Sequence, residues 1–216
     1  MSDCCDPVPY RRFFNRREAS RRLRNYRRRG LDAMASGMVE YITGRGVAGR
    51  SILEIGGGVG DLQVELLKAG AANAVNVELS AGYEEAAAEL MHSEGMTGRS
   101  RREIGDFVAR QDLVESADIV VLNRVVCCYP WMDQMMTAAV SKTGWLLGIA
   151  VPRDRAMSRV FVGVGNWLNR VRSCGFQAFV HPIGDMERLA ERGGLEIVYR
   201  DRDLFWEAMV FESRAA

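Results

Sequence analysis

The sequence predicts an α/β fold: a mostly parallel, seven-stranded sheet with helices on both faces and an antiparallel hairpin at its end. From about residue 51 onward, short apolar runs alternate with amphipathic stretches, the pattern of successive strand–helix–strand units. Of the 216 residues, 48% are hydrophobic, which is enough for one well-buried core. The last two apolar runs are separated by only a few polar residues, which favours a hairpin.

The first half of this pattern predicts three strands and two helices. The apolar run from Ser51 to Ile55 is the first strand, and Asp61 to Ala69 follows it as a helix. Ala74 to Leu79 is the second strand. Ser80 can cap the next helix, whose first turn carries two glutamates suited to the positive end of the helix dipole. A third, weaker strand ends near Ile104.

The second half predicts four more strands and two helices. The run from Asp118 to Val126 is rich in Ile, Val and Leu, as expected of the most buried strand. The segment of about residues 152–183 is longer than a simple connection requires, so we expect it to carry substrate specificity. The other elements are a helix, a strand, a helix and the two hairpin strands: Trp131 to Val140, Trp145 to Val151, Asp185 to Arg192, Leu195 to Tyr199 and Phe205 to Phe211.

The charge distribution divides the chain into a basic N-terminal segment, residues 1–40, and an α/β domain, residues 41–216. Residues 1–30 hold ten arginines and three acidic residues, a charge of +7; because the whole chain carries +1, the remainder carries −6. Ala19, Leu23, Tyr26 and Gly30 share one helical face. We interpret the segment as a helical lid. Its arginines can alternatively attract an anionic substrate, nucleic acid included, or lie on an anionic membrane surface.

The cysteines and the hydropathy indicate the compartment that we expect. Five cysteines include two adjacent pairs, Cys4-Cys5 and Cys127-Cys128, and neighbours of that kind rarely bridge to each other. The N-terminus lacks the apolar middle of a signal peptide, and no apolar run approaches the roughly 18–20 residues that cross a bilayer. We therefore expect a reduced, cytoplasmic protein. No C-x-x-C spacing supports a metal site, and we expect no metal.

A glycine-rich segment joins the first strand to the first helix. Gly56, Gly58 and Gly60 let the backbone turn tightly and approach a ligand without Cβ atoms in the way. The spacing is E-x-G-x-G-x-G, beginning at Glu54, and differs from the G-x-G-x-x-G that seats a dinucleotide pyrophosphate. A carboxylate at Glu54 would repel a pyrophosphate and suits a ligand with an ammonium group and a sulfonium cation. S-adenosylmethionine carries both.

Acidic residues also stand at the ends of the next two strands. Glu78, 18 residues beyond Gly60 and next to Leu79, can accept hydrogen bonds from both hydroxyls of a ribose. Asp106 follows the third strand and can accept a bond from an adenine amino group, with Phe107 beside the ring. Carboxyl ends of parallel strands meet at the edge where open α/β sheets bind ligands, so we expect these residues to form one cofactor site.

The stretch from Ser51 to Val151 resembles the class I S-adenosylmethionine-dependent methyltransferases. Glu54 and the three glycines match the first motif of that family, and Glu78 matches its ribose-binding acid. Gly105-Asp106-Phe107 matches its adenine-side motif, and Val121 to Pro130 matches the motif that lines the methyl-transfer site. The resemblance implies a Rossmann-like domain with S-adenosylmethionine as cofactor. It also implies methyl transfer to a small-molecule acceptor, which we expect to occur at oxygen.

A weaker resemblance is to the magnesium-protoporphyrin O-methyltransferase branch. The fourth strand of that branch also ends in a Tyr-Pro pair, here Tyr129-Pro130, and a long insert followed by His181 and a helix has a similar layout. The sequence departs from the branch at Cys128, where the branch tends to place a histidine. The resemblance therefore does not carry over porphyrin as the substrate.

Three residues are candidates for the chemistry of methyl transfer. Positioning alone can supply roughly 7–11 kcal/mol of the barrier, so few catalytic residues are needed. Asn123 and Tyr129 lie at the end of the fourth strand, where a polar side chain can face the methyl group and Tyr129 can stack on a planar acceptor. His181 is the candidate general base. Two of the three have a structural alternative: His181 can bond backbone groups, and Tyr129 can cap the following helix.

Other function classes lack their usual motifs. A nicotinamide-dependent oxidoreductase predicts G-x-G-x-x-G and commonly Y-x-x-x-K, and the sequence contains neither. An RNA methyltransferase typically adds an N-P-P-Y-like or paired-cysteine catalytic motif, and the segment from Asn123 to Val126 is not one. A non-catalytic member of the fold that binds the cofactor stays open as an alternative, as does an RNA or other anionic substrate.

Overall fold

A computed structural model of the chain describes residues 7–171 and 175–215. Its seven strands form one sheet in the order β3-β2-β1-β4-β5-β7-β6. Strands β1 to β5 are parallel, and β7 runs antiparallel between β5 and β6. This order confirms the predicted fold class, including the terminal hairpin. The strands are β1 Ser51–Ile55, β2 Asn73–Glu78, β3 Ser100–Ile104, β4 Ala117–Asn123, β5 Thr143–Pro152, β6 Leu195–Arg202 and β7 Trp206–Ser213.

Helices cover both faces of the sheet. The sequence predicted α4, α7 and α9 within a few residues of their observed bounds and, for α5, the glutamates of its first turn. It did not predict α3, or α8 inside the 152–183 segment. Within the described residues, no helix is both long and apolar enough to cross a bilayer. The helices are α1 Pro7–Phe13, α2 Arg16–Arg29, α3 Ala33–Gly44, α4 Asp61–Lys68, α5 Glu84–Ser93, α6 Phe107–Arg110, α7 Met132–Ser141, α8 Ala156–Val171 and α9 Ile183–Arg192.

Strand alternation divides the core between the two faces. On β4, Val120 and Leu122 pack with α7 and α9, whereas Ile119 and Val121 pack with α3 and α4 on the opposite face. All four side chains are fully buried. Because β1, β4 and β5 are covered on both faces, they read as continuous apolar runs, which is why their sequences were recognisable as strands.

The fourth strand is shorter than the sequence predicted. It ends at Asn123 and not at Val126, because Arg124 takes a left-handed backbone conformation with φ of 62° and turns the chain away from the sheet. Asp32 pairs with the Arg124 guanidinium at 3.0 Å, and the Trp206 ring packs against it at 4.3 Å. Both contacts come from elements distant in sequence, and strand alternation gave no sign of them.

The basic N-terminal segment forms α1 and α2 against the domain. Ala19, Leu23 and Tyr26 of α2 are buried, as the shared helical face predicted. They form a cluster with residues of α4, α5 and the glycine-rich segment, among them Val59 and Leu90. The prediction was wrong for the fourth position of that face: Gly30 ends the helix with φ of 71° and lies exposed.

Candidate active site

A cavity of about 790 Å³ lies at the carboxyl edge of the parallel strands. Its floor is formed by the ends of β1, β2 and β4, and its roof by α1, α2 and α8. The volume falls within the roughly 300–1,000 Å³ of typical small-molecule sites. Of the predicted site residues, the lining includes Gly56, Gly58, Glu78, Leu79, Asp106, Phe107, Asn123 and Tyr129.

The glycine-rich segment forms one wall of this cavity. Gly56 and Gly58 have φ of 64° and 58°. A Cβ atom at Gly56 would lie 2.6 Å from Val125 Cγ2, so only glycine fits there. Gly60 begins α4 with φ of 81° and does not line the cavity. Sequence reasoning missed Gly57, where a Cβ atom would lie 2.3 Å from the carboxyl carbon of Glu54.

The carboxylate of Glu78 is held in place by two backbone bonds. Gly58 N–H donates to Oε2 at 2.9 Å, and Ser80 N–H donates to Oε1 at 2.9 Å. A carboxylate has about four acceptor sites, so each oxygen keeps one for a ligand. The side chain is buried and faces the cavity. This arrangement presents two fixed acceptors side by side.

Glu54 lies beneath the glycine-rich segment and does not line the cavity. Its Oε2 accepts a bond from the Asn76 amide at 3.3 Å. Burial, reinforced by the nearby negative charge of Asp61, raises the pKa of Glu54 to about 8. The sequence argument assumed a negative charge at Glu54 that faces the ligand. The structure places this carboxyl beneath the glycine-rich segment, where burial favours its protonated form.

Asp106, Phe107 and Tyr129 meet at the next part of the wall. Asp106 caps α6: its Oδ1 accepts bonds from the N–H of Val108 at 2.9 Å and of Ala109 at 3.4 Å. The Tyr129 hydroxyl donates to Asp106 Oδ2 at 3.3 Å. Tyr129 therefore lies against the predicted adenine-side acid, which the sequence did not indicate.

Asn123 ends β4 and lies on the cavity lining. Both the oxygen and the nitrogen of its amide are buried, and neither has a hydrogen-bond partner among the described residues. A buried amide without partners costs free energy of about 1–3 kcal/mol. Ser158 of α8, also on the cavity lining, has a buried hydroxyl in the same condition. Unpartnered polar groups beside a cavity are candidates for binding a ligand.

His181 lies outside the cavity lining. Its Nε2 is 2.9 Å from the carbonyl oxygen of Tyr129, and burial lowers the pKa of the ring. The bond ties residues 175–182 to the loop after β4. It agrees with the alternative in which His181 bonds backbone groups and has no catalytic role. The general-base role remains a sequence prediction that no contact of the described residues supports.

The roof over the cavity is built largely from aromatic side chains. Phe13 of α1 stacks on Phe176 with ring centroids 4.4 Å apart, and Phe14 meets the same ring edge-on at 5.2 Å. The Tyr10 hydroxyl donates to the carbonyl of Cys128, and Ser80 Oγ donates to the carbonyl of Phe14 at 2.5 Å. Helix α1 thereby bridges the two sides of the cavity mouth.

An ion pair fastens α2 beside the glycine-rich segment. Arg22 donates from Nε and Nη2 to the two carboxylate oxygens of Asp61, at 3.2 and 3.3 Å. The charge of Asp61 raises the pKa of Arg22, which therefore stays protonated. Arg22 also lines the cavity. The sequence marked this residue only as one of ten arginines, and nothing in its pattern singled it out.

The adjacent thiols of Cys127 and Cys128 also line the cavity, with their Sγ atoms 3.9 Å apart. The hydrogen bond with Cys127, together with burial, raises the pKa of Cys128, so its thiol stays protonated. Cys4 and Cys5 lie outside the described residues. Within the residues that the structure describes, no three His, Cys, Asp or Glu side chains are arranged to hold a metal ion.

Comparison with known proteins identifies the fold. The sequence matches no protein-family model and no curated protein. Among solved structures, the magnesium protoporphyrin IX methyltransferase from Synechocystis, solved with bound SAH (S-adenosylhomocysteine), is similar with a TM-score of 0.75 and 16% identity. The match covers 96% of this chain and 99% of that chain. The chain has the fold of the class I methyltransferases.

Two further solved structures share this fold. A TehB-like SAM-dependent methyltransferase from Corynebacterium glutamicum has a TM-score of 0.64 and 17% identity, and the match covers 92% of this chain and 98% of that chain. An O-methyltransferase family protein from Burkholderia thailandensis has a TM-score of 0.66 and 18% identity, with coverage of 84% of this chain and 57% of that chain. Likeness of this kind identifies the fold and leaves the substrate open.

Proposed function

We propose that this protein is an S-adenosylmethionine-dependent methyltransferase that acts on a small-molecule acceptor, at oxygen. The observation that carries the proposal is the unpartnered, buried amide of Asn123 at the end of β4. Asn123 lies on the lining of a cavity whose adjoining wall holds the fixed carboxylate of Glu78. A ligand that spans both groups satisfies the amide and uses the two free acceptor positions.

Residues of the sheet edge have the chemistry to hold S-adenosylmethionine. Glu78 presents two acceptors for the ribose hydroxyls, and Asp106 with Phe107 offers an acceptor beside an aromatic ring for adenine. The backbone around Gly56 and Gly58 leaves room for close approach of a ligand. When bound, the cofactor supplies an electrophilic methyl group on a sulfonium.

The roof defines the acceptor side of the site. Phe161 and Leu168 of α8, with Phe205 and Trp206 beyond β6, supply apolar walls, and Ser158 supplies one unpartnered hydroxyl. These walls suit a planar, mainly apolar acceptor. In-line displacement then requires that the chain orient the acceptor oxygen and exclude water. An acceptor that is already ionised, such as a carboxylate or an acidic phenol, needs no general base.

Calorimetric titration with S-adenosylhomocysteine tests the cofactor half of the proposal. We expect micromolar binding by the wild type and at least 100-fold weaker binding by Gly58→Val. The backbone at this position has φ of 58°, which is strained for valine, and the Tyr83 ring lies 3.2 Å from the Cβ position. Gly95→Val is the matched control, since Gly95 has φ of 70° and no heavy atom within 4 Å of its Cβ position. Equal binding by both variants would contradict the site assignment.

Methyl transfer from isotopically labelled S-adenosylmethionine tests the reaction itself. We expect label in planar carboxylates or phenols, whose ionised oxygen needs no general base, and none in amines of matched shape. Asn123→Ala should lower transfer at least tenfold while the protein stays folded. Label found only in RNA would favour an RNA methyltransferase instead. Cofactor binding without transfer to any acceptor tested would favour a non-catalytic member of the fold.

A further inference from the structure

Helix α8 carries large apolar side chains on two faces. Its inner face lines the cavity with both apolar and polar side chains, among them Phe161, Leu168 and Ser158. Asn166 holds the helix to the backbone of Ala178 through two bonds of 2.8 Å. Its outer face carries a second set of apolar side chains that do not line the cavity. A surface helix normally exposes a polar face to solvent, so this outer apolar face calls for a partner outside the described chain.

The outer stripe is continuous along the helix. Its members recur every three or four residues, and the most exposed, Val160, Val171 and Trp167, have 67%, 64% and 61% of their surface accessible. The four that define the stripe are Val160, Val164, Trp167 and Val171. Single exposed apolar residues are ordinary, but a full helical face of them is typical of an interaction site.

Basic side chains flank this stripe. Arg155 and Arg170 lie exposed at the two ends of α8, and Arg11 and Arg17 lie exposed on α1 and α2, which roof the same cavity. None of these four makes an ion pair among the described residues. An apolar stripe with arginines around it matches the interfacial region of a bilayer that contains anionic lipids. A second copy of the chain would instead bring like charges together.

We propose that the outer face of α8 docks on an anionic lipid surface, with its apolar side chains among the acyl chains and the flanking arginines at the headgroups. Because the inner face of α8 lines the cavity, docking sets the mouth of the site against the bilayer. An acceptor that partitions into lipid then reaches the cavity without crossing water. The docking itself does not depend on the proposed reaction.

Co-sedimentation with vesicles tests the docking without any turnover. We expect the wild type to bind vesicles of equal parts phosphatidylglycerol and phosphatidylcholine, and to bind pure phosphatidylcholine at least fivefold more weakly. Val164→Glu should weaken binding to the anionic vesicles at least tenfold, because it puts a charge in the middle of the stripe. Leu113→Glu is the matched control: Leu113 is 71% exposed, lies outside α8, and its change should leave binding intact.

Tryptophan fluorescence identifies the inserted face. Trp167 is the exposed tryptophan of the stripe, so anionic vesicles should shift its emission to the blue and brominated lipids should quench it. Trp167→Phe should abolish both effects while co-sedimentation persists. Wild type that stays in solution with both vesicle types would overturn the proposal. So would a concentration-dependent dimer in sedimentation velocity that Val164→Glu abolishes, since the stripe would then bind a second copy.

Discussion

The floor and the roof of the cavity are held together in different ways. On the floor, backbone N–H groups fix the polar side chains: Glu78 is held by those of Gly58 and Ser80, and Asp106 by those of α6, which it caps. The roof depends on contacts between segments far apart, such as Phe13 on Phe176 and Arg22 on Asp61. The comparison teaches that cofactor geometry is local to the sheet edge, whereas closure and acceptor choice are tertiary properties.

The largest effect should come from removing the fixed carboxylate of the floor. Glu78→Ala should weaken binding of S-adenosylhomocysteine at least 100-fold, because two charge-assisted bonds of roughly 1.5–3 kcal/mol each are lost. The anchors of Gly58 and Ser80 are lost as well. Glu78→Gln keeps one acceptor oxygen and should bind about tenfold more weakly than the wild type. Calorimetry measures both, and unchanged binding by the alanine variant would exclude Glu78 from the site.

A smaller effect should come from unfastening the roof. Arg22→Met leaves the buried Asp61 carboxylate unpaired, which should loosen α2 and weaken cofactor binding about tenfold. Limited trypsinolysis should cut residues 7–31 several times faster than in the wild type. Arg24→Met also removes one trypsin site from α2, but Arg24 makes no ion pair among the described residues. This variant should therefore behave as the wild type. Matching cleavage rates in the two variants would contradict the fastening role.

The protonated carboxyl beneath the floor predicts a pH dependence of stability. The folded pKa of Glu54 is about 8 and its usual value is 4.5, so the folded state keeps a proton that the unfolded state releases. The free energy of unfolding therefore falls as pH rises from about 4.5 to 8. In Glu54→Gln, the free energy of unfolding should fall by on the order of 1–3 kcal/mol less over this pH range than in the wild type. Urea unfolding at pH 5 and pH 8 measures it.

The control for this titration is Glu196→Gln, a change at an exposed residue of β6. Its pH dependence should equal that of the wild type. If the free energy of unfolding changes with pH equally in Glu54→Gln and the wild type, the buried carboxyl is ionised in the folded protein. The negative charge that the sequence argument assigned to Glu54 would then stand.

The smallest effect concerns the thiol at the junction of floor and roof. Because the pKa of Cys128 is raised, N-ethylmaleimide should modify it slowly in the folded protein and quickly in urea. S-adenosylhomocysteine should slow the folded-state reaction a further fewfold, since Cys128 lines the cavity. Mass spectrometry of the peptide that contains Cys128 reports the rate. A rate that is insensitive to the ligand would place the binding site elsewhere.

The same contrast explains what the sequence could predict. Apolar runs located six of the strands, whereas the weaker third strand was placed only by its end near Ile104. The acids of the floor were recognisable because each stands at or just after a strand end, as Glu78 does. The turn at Arg124, the fit of Gly57 over Glu54 and the protonation of Glu54 depend on contacts from other segments, and no local pattern encodes them. Helix α8 was missed because apolar side chains lie on two of its faces, so its pattern contains no single buried stripe.

A crystal structure of the protein with S-adenosylhomocysteine tests the central claim most directly. The account predicts the ligand along the carboxyl edge of the strands, with its ribose on Glu78 and its sulfur near the amide of Asn123. Ligand density elsewhere, or a ligand in the cavity that leaves the amide of Asn123 without a partner and Glu78 untouched, would contradict it.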